Sequence, residues 1–181
     1  MSRRVTANVY LSLDGVVEAP ENWHFPYHDD ATEEAVMAGL RAADTLLLGR
    51  KTYDIFAAAW PDREGEMADW FNLTPRLVVS STLRDPEWKY TTVLSPDRLV
   101  EELTELKEKP GMAIAVHGSI TLVRTLLEYG LLDDLVLMLH PLVVGSGDRM
   151  FPENGPRLPL RLAAATTFGS GIQSLTYTKD I

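Results

Sequence analysis

The stretch Thr45-Leu46-Leu47-Leu48-Gly49-Arg50-Lys51-Thr52 (residues 45–52) decides how this chain is read. A short unbroken apolar run is the pattern of a strand covered on both faces. Gly49 ends the run, and a helical stretch follows to about Ala59. Two further segments repeat the form. Arg76-Leu77-Val78-Val79-Ser80 leads into Ser81, Thr82 and Leu83. Met112-Ala113-Ile114-Ala115-Val116 leads into His117-Gly118-Ser119 and a helix over 120–129. Buried strands alternating with helices give a parallel sheet. Ligands of such sheets gather at the carboxyl ends of the strands, often against helix N-termini.

The same pattern extends in both directions. Residues 4–11 read as a first strand. Residues 12–28 form an irregular loop with Gly15, Pro20 and Pro26, carrying Trp23, His24, Phe25 and Tyr27. A helix is predicted over 30–43, with Val36, Leu40 and Ala43 on its apolar face and Asp29, Asp30 or Thr32 as cap. Residues 60–73 read as a loop with one helical turn, and 89–94 as a short strand. Ser95 is the expected cap of a helix that starts at Pro96 and runs to about Lys107. Ser119 is the expected cap of the helix over 120–129, which Gly130 closes. A long apolar strand follows over 132–139, then a loop over 142–157. Two strands, 158–167 and 171–178, form an antiparallel hairpin around Gly169-Ser170-Gly171. The fold class is therefore α/β: a mostly parallel central sheet with an antiparallel C-terminal hairpin, in one domain over residues 1–181.

Composition removes several functions. The chain holds 181 residues, 45% hydrophobic and 24% charged, an ordinary globular balance. There is no cysteine, so disulfides, iron–sulfur clusters and thiol nucleophiles are excluded. Acidic residues outnumber basic ones 26 to 17, and no Lys/Arg run occurs, which argues against nucleic acid. No segment reaches the roughly 18–20 apolar residues of a membrane span. A soluble cytoplasmic protein is expected. No metal site is expected either. His24 and His28 lie beside Asp29 and Asp30, but Pro26 prevents helical spacing and no third ligand is evident.

The three turns carry the candidate chemistry. Gly49 admits a phosphate close to the backbone, the following helix start offers free N–H groups, Arg50 and Lys51 add charge, and Thr52 adds a hydroxyl. Ser80, Ser81 and Thr82, with Arg84 beyond, suit a ribose or ribose phosphate. Gly118-Ser119-Ile120-Thr121 opens another helix and suits a pyrophosphate. Each turn also reads as an ordinary capped connection. Along one sheet edge the three together have the form that a dinucleotide requires.

In this order the motifs resemble the dihydrofolate reductase-like superfamily, and within it the reductase domain of riboflavin biosynthesis and its single-domain relatives. Ser12-Leu13-Asp14-Gly15, Leu48-Gly49-Arg50-Lys51-Thr52-Tyr53, Val79-Ser80-Ser81-Thr82-Leu83 and His117-Gly118-Ser119 carry the resemblance. The run from Gly130-Leu131-Leu132-Asp133-Asp134-Leu135 to His140-Pro141-Leu142-Val143-Val144-Gly145-Ser146-Gly147 completes it. It implies a three-layer dihydrofolate reductase-like fold and an NADPH site. Gly49, Arg50, Lys51 and Thr52 would hold phosphates, and the two bases would favour NADPH over NADH. Ser80, Ser81 and Thr82 would line the adenosine ribose and its 2′-phosphate. Gly118, Ser119, Ile120 and Thr121 would support the pyrophosphate and the nicotinamide.

On the substrate side the resemblance implies a reductase of the 5-amino-6-(5-phosphoribosylamino)uracil type, with a pterin or dihydrofolate as the alternative. A non-catalytic NADP(H)-binding protein on the same fold is a further alternative. Counting back from Gly49 as in folate reductases places Glu33 as the ring-binding carboxylate. Asp14 is a second catalytic candidate, and Trp23 and Tyr27 are candidates to stack on the substrate ring. Two departures stand out. Folate reductases carry Gly-Gly where this chain has Gly118-Ser119, which is tolerable if the serine keeps a negative φ. The deaminase half of the bifunctional enzymes is not expected, since its zinc site needs cysteines. Homodimerisation is expected from the relatives, with the 132–139 strand near a shared face.

Overall fold

The computed structural model describes residues 2–179. The single-domain expectation therefore takes in Met1, Asp180 and Ile181, which lie outside the described residues. The elements are β1 (Val5–Ser12), α1 (Asp30–Arg41), β2 (Ala43–Gly49), α2 (Arg50–Ala59), α3 (Glu66–Leu73), β3 (Arg76–Val79), β4 (Thr91–Leu94), α4 (Leu99–Glu108), β5 (Ala113–His117), α5 (Ile120–Glu128), β6 (Asp134–His140), β7 (Leu160–Thr167) and β8 (Gln173–Lys179). They build one eight-stranded sheet in the order β4-β3-β2-β5-β1-β6-β8-β7. The six strands β4 to β6 in that order are parallel. β8 runs antiparallel to β6, and β7 antiparallel to β8. This is the three-layer, mostly parallel α/β arrangement with an antiparallel C-terminal hairpin.

Alternation along the strands explains the layers. In β2, Leu47 packs into one core cluster while Leu46 and Leu48 pack into the other, and all three are fully buried. Fully burying a leucine side chain contributes roughly 1.5–3 kcal/mol, so this run anchors the sheet. In β1, Val5, Ala7, Val9 and Leu11 meet α4 and α5 through Leu99, Leu103, Leu122 and Leu126. The opposite face of the sheet meets α1, α2 and α3 through Val36, Met37, Leu40, Tyr53 and Phe71. Tyr10 packs on that second face.

Several local expectations are corrected. Residues 66–73 form a full helix, α3, rather than one turn. Its entry residue Gly65 has φ 105° and contributes no side-chain cap, so the usual start signal is missing from the sequence. Its far end is closed instead by a buried cation. Arg76, 1% exposed, donates to Phe71 O at 2.6 Å and lies 3.4 Å over the Trp88 ring. Carbonyls at a helix C-terminus are partners for a cation, as here. Ala43 begins β2 and is not part of α1. Ser95 makes no side-chain cap, and Pro96–Arg98 form a 3-10 turn before α4. The 132–139 strand is β6 (Asp134–His140), which lies inside the sheet between β1 and β8.

Candidate functional site

The sheet order sets β3, β2 and β5 side by side, so the three turns after them meet at one edge. Gly49 and Ser119 are the positions before α2 and α5, and neither helix has a side-chain cap. Two hydrogen bonds join them. The Gly49 N–H donates to Ser119 Oγ at 2.9 Å, and the Ser119 N–H donates to Thr52 Oγ1 at 2.9 Å. The serine hydroxyl is thereby drawn away from its own helix. The first N–H groups of both helices stay free of side-chain caps, and two partial positive charges sit together.

Ser119 departs from expectation. Its φ is +52°, following Gly118 at +56°. The negative φ and the capping role are both overturned, because the two cross-turn hydrogen bonds hold the left-handed backbone. Such a conformation costs of order 1–3 kcal/mol outside glycine and persists only where surroundings impose it. Gly118 is itself constrained, since a Cβ there would lie 3.2 Å from Thr52 Cγ2.

The bases and hydroxyls flank this cradle. Arg50 pairs with Asp54 at 2.9 Å and donates to Thr82 Oγ1 at 3.2 Å, which links the turns after β2 and β3. Lys51, Ser81, Thr82 and Thr121 are exposed, and Ile120 is half-buried. Ser80 is buried and its Oγ accepts from the Thr82 and Leu83 N–H groups, so it shapes the turn from within. Free helix-start amides, two cations and exposed hydroxyls fit a phosphorylated cofactor.

The other half of the edge is built by β1, β6, α1 and the loop between β1 and α1. Asp14 accepts from Ser12 Oγ at 2.6 Å and from the Val144 and Gly145 N–H groups at 3.1 and 2.9 Å. The Arg149 guanidinium donates to the Asp14 carbonyl, and Val16 forms a bridge with Arg149. Donors on three sides lower the Asp14 pKa to about 2, so it holds two loops together as a carboxylate and has no proton to give near neutrality. Trp23 is 8% exposed, donates from Nε1 to Glu18 O and meets His140 edge-on at 5.1 Å. It is a packing residue, not an exposed stacking platform. Tyr27 is half-buried, with its ring 6.0 Å from His140.

Beneath the loop lies a pair that sequence reading passes over. His140 Nδ1–H donates to Met138 O at 2.8 Å, which leaves its Nε2 as an acceptor. His24 Nδ1–H donates to that nitrogen at 2.8 Å. A backbone carbonyl thus selects the neutral tautomer of both rings. Burial and the neighbouring His140 and His28 lower the His24 pKa to about 4. Tyr10 packs on both rings, at centroid distances of 4.5 and 5.4 Å. His28 Nε2 meets Glu33 Oε2 at 3.1 Å. Glu33 also lines a cavity of about 270 Å³ with Asp30, Glu34, Met37, Glu66 and Met67. His28 thus links Glu33 to the His24, His140 and Tyr10 rings, and Tyr27 lies beside His140, while Asp14 and Trp23 tie down the loop around them. The one signal for Tyr10 was the alternation of β1, where Thr6, Asn8 and Tyr10 stand between buried Val5, Ala7, Val9 and Leu11.

Comparison with known proteins follows the same outline. The RibD C-terminal domain model matches residues 3–174. The uncharacterized protein YyaP of Bacillus subtilis is 28% identical over 180 residues, covering 97% of this chain and 94% of that protein. The crystal structure of a putative riboflavin biosynthesis protein from Shewanella sp. PV-4 superposes with a TM-score of 0.79 at 19% identity, covering 100% of both chains. Dihydrofolate reductase from Enterococcus faecalis, complexed with NADP(H) and RAB-propyl, superposes with a TM-score of 0.66 at 17% identity, again over 100% of both.

Proposed function

The chain belongs to the RibD C-terminal domain family, and on that premise we propose that it is an NADPH-dependent reductase of a small heterocycle, of the 5-amino-6-(5-phosphoribosylamino)uracil reductase type. The observation that carries this reading is the joined, uncapped pair of helix starts at Gly49 and Ser119, with Ser119 held left-handed by Thr52 and Gly49. A strained backbone that aims free amides at one place is a device for binding an anion. Gly49, Thr52, Gly118, Ser119, Ile120 and Thr121 bind the pyrophosphate and the nicotinamide side. Arg50 and Lys51, with Ser81 and Thr82, bind the adenosine ribose and its 2′-phosphate, and Ser80 keeps that turn in shape. Bound NADPH supplies the hydride. Glu33 and Tyr27 orient the substrate ring.

Charge at the crevice mouth favours a second reading of the substrate. Asp30, Glu33, Glu34 and Glu66 line the cavity, and Arg41 is already engaged by Glu34 and Glu66. A dianionic phosphate ester placed there meets net repulsion. An unphosphorylated pyrimidine or pterin does not. The 132–139 strand being internal, a homodimer would pair through the outer hairpin, where β7 exposes Leu162 at 48% on a sheet edge.

The test is a pair of titrations with NADPH and NADH, followed by tryptophan quenching and nicotinamide emission. Saturable NADPH binding with much weaker NADH binding supports the reading. No binding of either at millimolar concentration overturns it. Tight NADPH binding without oxidation by any pyrimidine, pterin or quinone leaves the non-catalytic alternative.

A further inference from the structure

Helix α2 opens against the usual electrostatic rule. The positive end of a helix favours acidic side chains in its first turn and disfavours basic ones. The first turn of α2 holds Arg50 and Lys51 and no acid. The first acidic side chain is Asp54, one turn further on. Helical side chains lean toward the N-terminus of their helix, so Asp54 leans back over Arg50. Both of its carboxylate oxygens accept from Arg50 Nε, at 2.9 and 3.0 Å. As a helix-stabilising pair this is the weaker order, with the base ahead of the acid. The two side chains are also exposed, Arg50 at 40% and Asp54 at 53%, and exposed pairs contribute little to stability. Helix stability therefore does not account for Asp54.

What the pair does fix is the guanidinium. Asp54 holds it at Nε, and on its other side Nη1 donates to Thr82 Oγ1 at 3.2 Å. Thr82 stands on the turn after β3, which Ser80 shapes by accepting from the Thr82 and Leu83 N–H groups. Arg50 is thus pinned between a helix and a turn that belong to different strands. A guanidinium has five N–H donors. One goes to Asp54 and one to Thr82, and among the described residues the remaining three, on Nη1 and Nη2, have no acceptor. Those two nitrogens form the fork that takes a phosphate through parallel hydrogen bonds. The exposed Ser81 and Thr82 hydroxyls lie on the same turn.

Resting on the reductase reading above, we propose that Asp54 is a positioning residue for cofactor selection. It acts through Arg50, holding the fork in the orientation that receives the 2′-phosphate of NADPH. A long, flexible side chain is thereby ordered before the cofactor arrives. The expected sign is the reverse of simple Coulomb reasoning. If charge alone decided, removing an acid beside an anion site would tighten NADPH. Removing Asp54 instead loosens NADPH, because its exposed charge is screened by salt while the lost orientation is not.

The experiment titrates NADPH and NADH into wild type, Asp54→Ala and Asp54→Glu, followed by nicotinamide emission. The preference for NADPH is read as the ratio of the two dissociation constants. In Asp54→Ala it is expected to fall by about three- to tenfold, the scale of ordering one flexible side chain. NADH affinity is expected to stay as in wild type. Asp54→Glu keeps a carboxylate within reach of Nε and is expected to keep most of the preference. In an Arg50→Ala background, adding Asp54→Ala is expected to leave the ratio unaltered. Asp54 is exposed, so these changes leave the core intact. An unaltered or larger preference in Asp54→Ala, an equal loss for both cofactors, a loss in Asp54→Glu as large as in Asp54→Ala, or a further fall in the double variant would each overturn the role of Asp54. Wild type that binds both cofactors equally overturns the 2′-phosphate role of Arg50 and this proposal with it. Wild type that binds neither overturns the reductase reading itself.

Discussion

The two halves of the sheet edge are built in opposite ways. The half formed after β2, β3 and β5 is made of short turns, each continuous in sequence. Its chemistry is mostly backbone: free helix-start amides at Arg50 and Ile120, joined through Gly49, Thr52 and Ser119. The half formed by β1, β6 and the 13–28 loop is made of side chains brought from far apart. His24 and His140 are 116 positions apart, and Asp14 is tied to Val144 and Gly145 from 130 or more positions away. A backbone cradle tolerates many side chains but few changes of φ. A side-chain cluster tolerates backbone drift poorly and depends on protonation.

The largest expected effect breaks the cradle alone. In Gly118→Val a branched residue must adopt φ +56° with its Cβ 3.2 Å from Thr52. A cost of about 1–3 kcal/mol, up to roughly a hundredfold in NADPH affinity, is expected. Substrate-side ligands should be far less affected, and fluorescence titration of both reads the difference. An equal loss on both sides would show the halves to be one unit.

Arg50→Ala comes next. A charge-assisted contact contributes about 1.5–3 kcal/mol, so NADPH should weaken by about tenfold or more while NADH changes little. The measurement is the ratio of the two dissociation constants. Equal loss for both would remove Arg50 from the 2′-phosphate.

Acid should act through the desolvated histidines. Burial lowers His117 to about 4, and His24 to about 4, from an unfolded value of 6.5. The unfolded chain therefore binds more protons in this window, so stability is complete above pH 6.5 and falls as pH drops toward 4. For His117 alone the loss is up to about 3 kcal/mol, several degrees in Tm for a chain of this size. Thermal melts between pH 7 and 5 test this, and His24→Gln should flatten part of the slope. A flat profile in wild type would show that neither ring is desolvated.

The smallest effect belongs to Asp14→Asn. It removes a charge that the Val144 and Gly145 amides share, and those amides should exchange faster with solvent. NADPH affinity should stay as in wild type. A large loss of NADPH binding would make the clamp part of the cradle rather than of the substrate half.

The same contrast explains what could be read early. Leu46-Leu47-Leu48 and the glycine and hydroxyl positions after each strand locate the three turns at the sheet edge, because strand ends and helix starts leave local marks. α3 looks like a single turn in the sequence because Gly65 supplies no capping side chain and Arg76, outside the helix, closes it. Ser119 looks like a helix cap in the sequence because its true partners, Gly49 and Thr52, lie on another turn. Asp14 and Trp23 read as site candidates from their place in a loop, and the structure shows that both side chains also hold that loop in place.

By itself the sequence determined the α/β class, a mostly parallel set of buried strands, the antiparallel end and the places of the strand-to-helix turns. Each depends on periodicity or on a glycine or hydroxyl next to a strand, which are properties of neighbours in the chain. Only the tertiary structure decided that Ser119 turns left-handed, that Asp14 is a clamp, and that Tyr10, His24 and His140 cluster with His28 joining them to Glu33. Those outcomes depend on hydrogen bonds and desolvation between distant residues, and neither exists until the sheet has closed over them.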